Sequence, residues 1–197
     1  MVSRASLDAL AATVQRQHPA LRQHIGSDGP VTLLFGDVED CAQMTERLSD
    51  RAISNAIVHQ HASIHNGYEV TLEGDHFLLA FANARQAVWC AIALQRALAA
   101  RGATHPDRAR RLRIGLHIGE TIDAAVRLAA GIASQAVGGE ILVSPALKQC
   151  IEDDDLGRSV HFAGAREVVL EGLTHPCVLH TVQWAERRGE VSPGGPA

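Results

Sequence analysis

A chain of 197 residues with 46% hydrophobic content can bury one substantial core, and a formal net charge of −4 argues against general attraction to nucleic acid or an anionic membrane. The longest uncharged apolar run, Ala87 to Leu94, is too short to cross a bilayer, and the N-terminus carries Arg4 and Asp8 where a secretory signal needs an apolar core. Cys41, Cys90, Cys150 and Cys177 are scattered with no CxxC pair, which fits reduced, packed thiols in a cytoplasmic protein.

Ser6 to Gln23 has apolar residues at helical spacing (Leu7, Leu10, Ala11, Val14) and an interruption at Pro19, so residues 1–28 are expected to form an N-terminal helical segment outside the main sheet. Val31 to Asp37, Val-Thr-Leu-Leu-Phe-Gly-Asp, is a short apolar run that stops on a carboxylate and reads as a buried strand delivering Asp37 to a sheet edge. A short helix is expected over Asp40 to Leu48, and a second from Ser49-Asp50 through Ile53, Ile57, His61 and Ile64 to a stop at Asn66-Gly67. Strands Tyr68 to Leu72 and His76 to Ala82 follow, hinged at Gly74, which carries Asp75. Ala84, Ala87, Val88, Ala91, Ile92 and Leu98 mark an amphipathic helix ending near Gly102.

Leu112 to Ile118 alternates as a strand, Ala124 to Ala136 is helical with a stop at Gly138-Gly139, Glu140 to Val143 is a strand, and Pro145 to Cys150 a short helix. Arg158 to Phe162, Glu167 to Leu170 and Cys177 to Val182 read as closing strands, and residues 186–197, rich in Gly, Pro and charge, as a disordered tail. This order gives an α+β domain over residues 29–185, a mixed central sheet with helices packed on one face.

If the strands bearing Asp37 and Asp75 are neighbours, their carboxylates converge, a pairing suited to a hard cation such as Mg²⁺ holding a polyphosphate. His59, His61 and His65 lack a nearby HExxH-type carboxylate and read as a solvated helix face, while His117 reads as structural. Arg108, Arg110, Arg111 and Arg113 form a basic cluster without interleaved aromatics, a solvated loop rather than a nucleic-acid patch. Gly115 and Gly119 flank a strand and do not make a dinucleotide fingerprint.

Five stretches, Val31 to Glu39, Glu73-Gly-Asp-His-Phe77, Arg113 to Glu120, Gly138 to Ser144 and Leu170-Glu-Gly-Leu173, resemble in order the signatures of the class III nucleotide cyclase catalytic domain. The resemblance implies a ferredoxin-like core, a head-to-tail dimer with active sites at the interface, and two metal ions, Mg²⁺ or Mn²⁺, held by Asp37 and Asp75. It further implies a purine nucleoside triphosphate whose ribose 3′-hydroxyl attacks the α-phosphate as pyrophosphate leaves, with the phosphates cradled by the amides of Val38, Glu39, Asp40 and Cys41 at a helix start.

The sequence departs from that pattern on the opposite wall of the site. Thr71 or Leu72 stands where the family has its adenine-selecting lysine. Aligning Val126 to Ile132 on the family's later helix sets Arg127 at its asparagine and Gly131 at its arginine, and only Thr121 to Ala125 replace a longer segment that bears the other base-selecting residue. Asp40 adds negative charge where the family commonly has glycine. Loss of an arginine aimed at the transition state costs about 10³–10⁵ in rate. The expectation is a cyclase-homology domain that is weakly active or inactive as a homodimer and acts as a nucleotide-binding or partner-modulating module. The alternatives are an active adenylate cyclase, the metal-bearing half of a heterodimeric cyclase and, last, a single-strand RNA-binding module, which needs exposed aromatics where the strands offer only Phe35, Tyr68, Phe77, Phe81 and Phe162, mostly at core-parity positions.

Overall fold

Strand β1 (Val31–Glu39) is apolar on both faces, and the architecture follows from covering both. The structure, a computed structural model, describes residues 12–14, 16, 19–24, 26, 29–39, 48–73, 76–105, 110–154, 159–170, 173 and 175–185. After β1 come α1 (Leu48–Ile64), β2 (Tyr68–Glu73), β3 (His76–Phe81), α2 (Ala84–Thr104), β4 (Arg111–Gly119), α3 (Ile122–Gln135), β5 (Ile141–Val143), α4 (Pro145–Glu152), β6 (Phe162–Val168) and β7 (Cys177–Val182). The strands form one seven-stranded sheet in the order β2-β3-β1-β4-β5-β7-β6, in which β4 and β5 run parallel and the other neighbours antiparallel.

The α+β class and the mixed sheet match the sequence reading; the single helical face does not. Leu34 of β1, with Phe77, Leu79, Leu112, Ile114 and Leu116, packs under α1, α2 and α4. Val31, Leu33 and Phe35, alternating with Leu34, pack with Leu78 and Ala80 under α3 and under Val14 and Leu21 of the N-terminal segment. A central strand with bulky apolar side chains on both sides needs a layer on each.

Local chemistry fixes the helices. The Asn83 side chain accepts from the amides of Arg85 and Gln86 to open α2, and Ser144 accepts from Leu147 N with Pro145 following to open α4. Helix α3 sits almost on the sheet backbone: a Cβ on Gly115 would lie 2.3 Å from Ala133 N and 2.4 Å from Ala129 O. Ala125, Ala129 and Ala133, one turn apart, make that approach possible from the helix side.

The far end of the sheet also differs from expectation. Among the described residues two closing strands replace three, because β6 runs from Phe162 to Val168 and pairs with β7 with one register shift between Phe162 and Gly164; its small central Ala163-Gly164-Ala165 carries little β-signal. Strand β5 has three residues, pairing with β4 at three positions and with β7 at two. Beside it the half-buried Glu140 carboxylate accepts from Val137 N, Arg166 and Thr181 Oγ1, and Trp184 Nε1 donates to Gly139 O at 2.6 Å. The expected helix over 40–48 and the tail from 186 lie outside the described residues, apart from Leu48 as the first residue of α1.

Gly115→Ala should force α3 off the sheet, since the clashing atoms are backbone. We expect a loss of about 1–3 kcal/mol, a fall in Tm of roughly 2–12 °C, measurable by thermal unfolding.

Candidate functional site

Antiparallel register brings three side chains into one row: His76 of β3 lies opposite Asp37 of β1, which lies opposite Arg113 of β4. Arg113 Nη2 donates to Asp37 Oδ2 in an ion pair whose side chains are only 19% and 15% exposed. The Nε of Arg113 is buried and has no hydrogen-bond partner among the described residues. Phe35, on the same strand face as Asp37, stacks on His76 with ring centroids 5.9 Å apart and planes 16° from parallel. The row therefore terminates the apolar stripe Val31, Leu33, Phe35, on the side of the sheet that α3 and the N-terminal segment cover.

Asp37 does not end its strand. Val38 and Glu39 continue β1 opposite Leu112 and Arg111, and Val38 packs toward the α1–α2 core, so these two residues belong to the ladder and not to a helix start. The extra pairing comes from β4, which begins at Arg111. Asp40, Cys41 and Asp75 lie outside the described residues; His76, which follows Asp75, faces Asp37. The described residues contain no group of three or more His, Cys, Asp or Glu that could hold a metal ion. Asp37 alone, with one oxygen on Arg113, does not make a divalent site.

Thr71 is half-buried on edge strand β2, just past a register shift at Glu69, and Leu72 packs into the core. Arg127 is exposed on α3, and Gly131, one turn on, is half-buried near Leu170. Helix α3 opens at Ile122, earlier than the expected Ala124, so only Glu120 and Thr121 separate it from β4. Asp123 and Arg127 thereby stand one turn apart, both exposed, at the start of α3.

Arg113, read from sequence as part of a solvated cluster, is instead a half-buried member of this row, paired with Asp37. Parity carries part of the signal, since Arg113 alternates with the buried Leu112 and Ile114 and so takes the other sheet face; the ladder with β1 then sets it opposite Asp37. His59 is solvent-exposed as expected, with Nδ1 2.6 Å from Glu69, whereas His61 departs from a solvated face in that its Nδ1 is buried without a partner among the described residues. His117 is structural, as expected: its Nδ1 lies 2.9 Å from Ser144 Oγ, and burial lowers its pKa from the ordinary 6.5. Cys90 is packed, with burial pushing its thiol up to about 12, whereas Cys150 is exposed. Phe35, Phe77 and Phe81 are buried, while Tyr68 and Phe162 are half-buried.

Superposition on solved structures identifies the fold. The adenylyl cyclase CyaB from P. aeruginosa matches with a TM-score of 0.68 over 80% of this chain and 95% of that chain at 17% identity. The chain has the class III nucleotide cyclase fold. The guanylyl cyclase Cya2 (TM-score 0.66, 21% identity, 82% and 95% covered) and an adenylate/guanylate cyclase/hydrolase from Silicibacter pomeroyi (0.65, 23%, 78% and 96%) share this cyclase fold. No protein-family model matches the chain. Uncharacterised proteins Rv0891c of Mycobacterium tuberculosis and Mb0915c of Mycobacterium bovis are 32% identical over 133 residues, 60% of this chain and 44% of each relative. The chain thus spans less than half the length of these relatives. Among the described residues no helix is long and apolar enough to cross a membrane.

Two measurements check the site. A double-mutant cycle with Asp37→Asn and Arg113→Met should give a coupling of about 0.5–3 kcal/mol in urea unfolding. For His117, the unfolded chain takes up the proton first as pH falls through 6.5, so the stability it contributes is complete above that value and declines as pH falls toward the lowered folded value. His117→Gln should flatten this decline in unfolding curves collected between pH 7 and pH 5, windows set around that value.

Proposed function

We propose that the chain is a class III cyclase-homology domain that binds a purine nucleoside triphosphate and, paired only with itself, turns it over very slowly or not at all. The observation that carries this reading is the Asp37–Arg113 pair: a carboxylate of the cyclase fold already neutralised by a neighbouring guanidinium, whose buried Nε has no acceptor among the described residues. Such a donor suits a phosphate oxygen. Asp37 and Asp75 would together hold Mg²⁺ or Mn²⁺, which would supply charge neutralisation at the phosphates, and the guanidinium competes with that ion for Asp37.

The weak-turnover part rests on the opposite wall. Thr71 brings no cationic donor to the place of the base-selecting lysine, and the two-residue link from β4 to α3 leaves no room for the segment that bears the second base-selecting residue in the resembling family. With Arg127 and Gly131 at the transition-state positions, a chain of this kind complements a partner cyclase domain that supplies those groups.

A second reading, an active cyclase, is favoured by where α3 starts. If Asp123 takes the asparagine's place, Arg127 falls one turn on, at the arginine's. The domain then keeps its transition-state cation and replaces only the amide by a carboxylate.

The purified chain with Mn²⁺ and either ATP or GTP separates the two. Weak binding, seen as a Tm increase that Asp37→Asn removes, with trace cyclic nucleotide, is the expected result. Robust turnover that falls at least about 10³-fold in Arg127→Ala would establish the second reading instead.

A further inference from the structure

Arg113 pairs with Asp37 on one face of the sheet; on the side that α2 covers lies a separate cavity of about 400 Å³, between α2, the start of β4 and Trp184. Arg110 and Arg111 line it, and neither guanidinium has a partner among the described residues. No carboxylate is among its lining residues, although the chain as a whole carries a net charge of −4. Two such cations in an acid-free recess attract an anion.

The cavity also offers a buried acceptor. Gln95 of α2 is 2% exposed. Its Nε2 donates to Leu112 O at 2.8 Å and to Glu140 O at 3.4 Å, and two carbonyls on that side fix which amide atom is the nitrogen. The other atom, Oε1, accepts nothing among the described residues; unlike Arg113 Nε it is not sealed from solvent, and it opens on the cavity that Gln95 lines. The wall beside it is fixed. Trp184 Nε1 donates to Gly139 O at 2.6 Å, and the Trp184 carbonyl accepts from Arg96 Nε at 3.1 Å. Gly139 N in turn donates to Leu112 O at 2.8 Å, the carbonyl that Gln95 also holds. Acceptor and indole therefore share one hydrogen-bonded frame, which Arg110 and Arg111 adjoin.

We propose that this cavity binds a nucleoside monophosphate without a metal ion: a base N–H donates to Gln95 Oε1, the flat base lies along Trp184, and Arg110 with Arg111 takes the phosphate. Charge selects one phosphate, since a monoester carries roughly two negative charges and two guanidiniums match them. The volume falls within the roughly 300–1,000 Å³ of small-molecule sites. This site is separate from Asp37 and does not rest on the cyclase reading.

The test is calorimetric titration of the full chain with AMP, GMP, CMP, UMP and inorganic phosphate, all in EDTA. At least one nucleotide should bind with a Kd below about 1 mM, and phosphate at least about tenfold more weakly. Arg110→Gln should weaken that nucleotide about 10–100-fold, and an analogue with every base N–H methylated should bind about 3–10-fold more weakly. Ala99→Phe, at an exposed position of α2 that lines the cavity, should fill the space and abolish binding. Asp37→Asn should bind as wild type does. Absence of binding by all four nucleotides, phosphate binding as tightly as they do, or full binding of the methylated analogue or by Arg110→Gln each overturns the proposal. Loss of binding in Asp37→Asn overturns it too, by assigning the nucleotide to the other site. Should Ala99→Phe fail to fold, Arg110→Gln decides alone. A negative result leaves Mn²⁺-dependent triphosphate binding at Asp37 untouched, and failure of that binding leaves this site standing.

Discussion

The burial of β1 on both sides is the constraint on which the rest depends. A strand reading Val-Thr-Leu-Leu-Phe cannot lie at a half-solvated surface, so the sheet requires a layer above and a layer below. Helices α1, α2 and α4 supply one. The other is assembled from α3 and the N-terminal segment, and it is thinner because α3 approaches so closely over Gly115. The position of Asp37 follows from this arrangement, as the first polar residue where the stripe under α3 runs out.

A carboxylate at the end of a buried stripe needs a countercharge, because removing an unpaired ion from water costs several kcal/mol. Arg113 supplies it from the adjacent strand at zero register offset. The same contact gives the site its chemical character. An incoming cation meets a carboxylate already occupied, while an incoming anion meets a guanidinium with one buried donor unmet among the described residues. Divalent ion and phosphate arriving together would satisfy both halves of the pair, which is how a metal–nucleotide complex presents itself.

Much of the fold was legible because apolar periodicity reports it directly. The runs of β1, β3 and β4, the alanine-studded α2 and the Ser144-Pro145 helix start all stand close to where sequence places them. What escaped was set by tertiary pairing. The extension of β1 through Val38 and Glu39 depends on β4 offering Leu112 and Arg111 opposite them. The α3 layer depends on Gly115, whose missing side chain carries no periodic signal. Asp37 was recognisable as the carboxylate that closes the apolar run, although its strand continues past it; its partner was not, since four nearby arginines look alike in sequence and only the ladder selects Arg113. The start of α3 at Ile122 likewise moves which residues on that helix stand one turn apart, and with it the comparison of Arg127 to a catalytic cation.

The three-residue strand β5 makes the sheet a broad piece and a narrow hairpin joined at a waist. Backbone pairing across that waist toward β7 amounts to two positions, and the Glu140 carboxylate, gripping Arg166 and Thr181, works as a rivet beside it. A unit attached in this way opens at a lower free energy than the whole domain. The β6–β7 hairpin is held to the rest by this acidic rivet and by the buried side chains of Leu179 and Val182 as much as by backbone pairing.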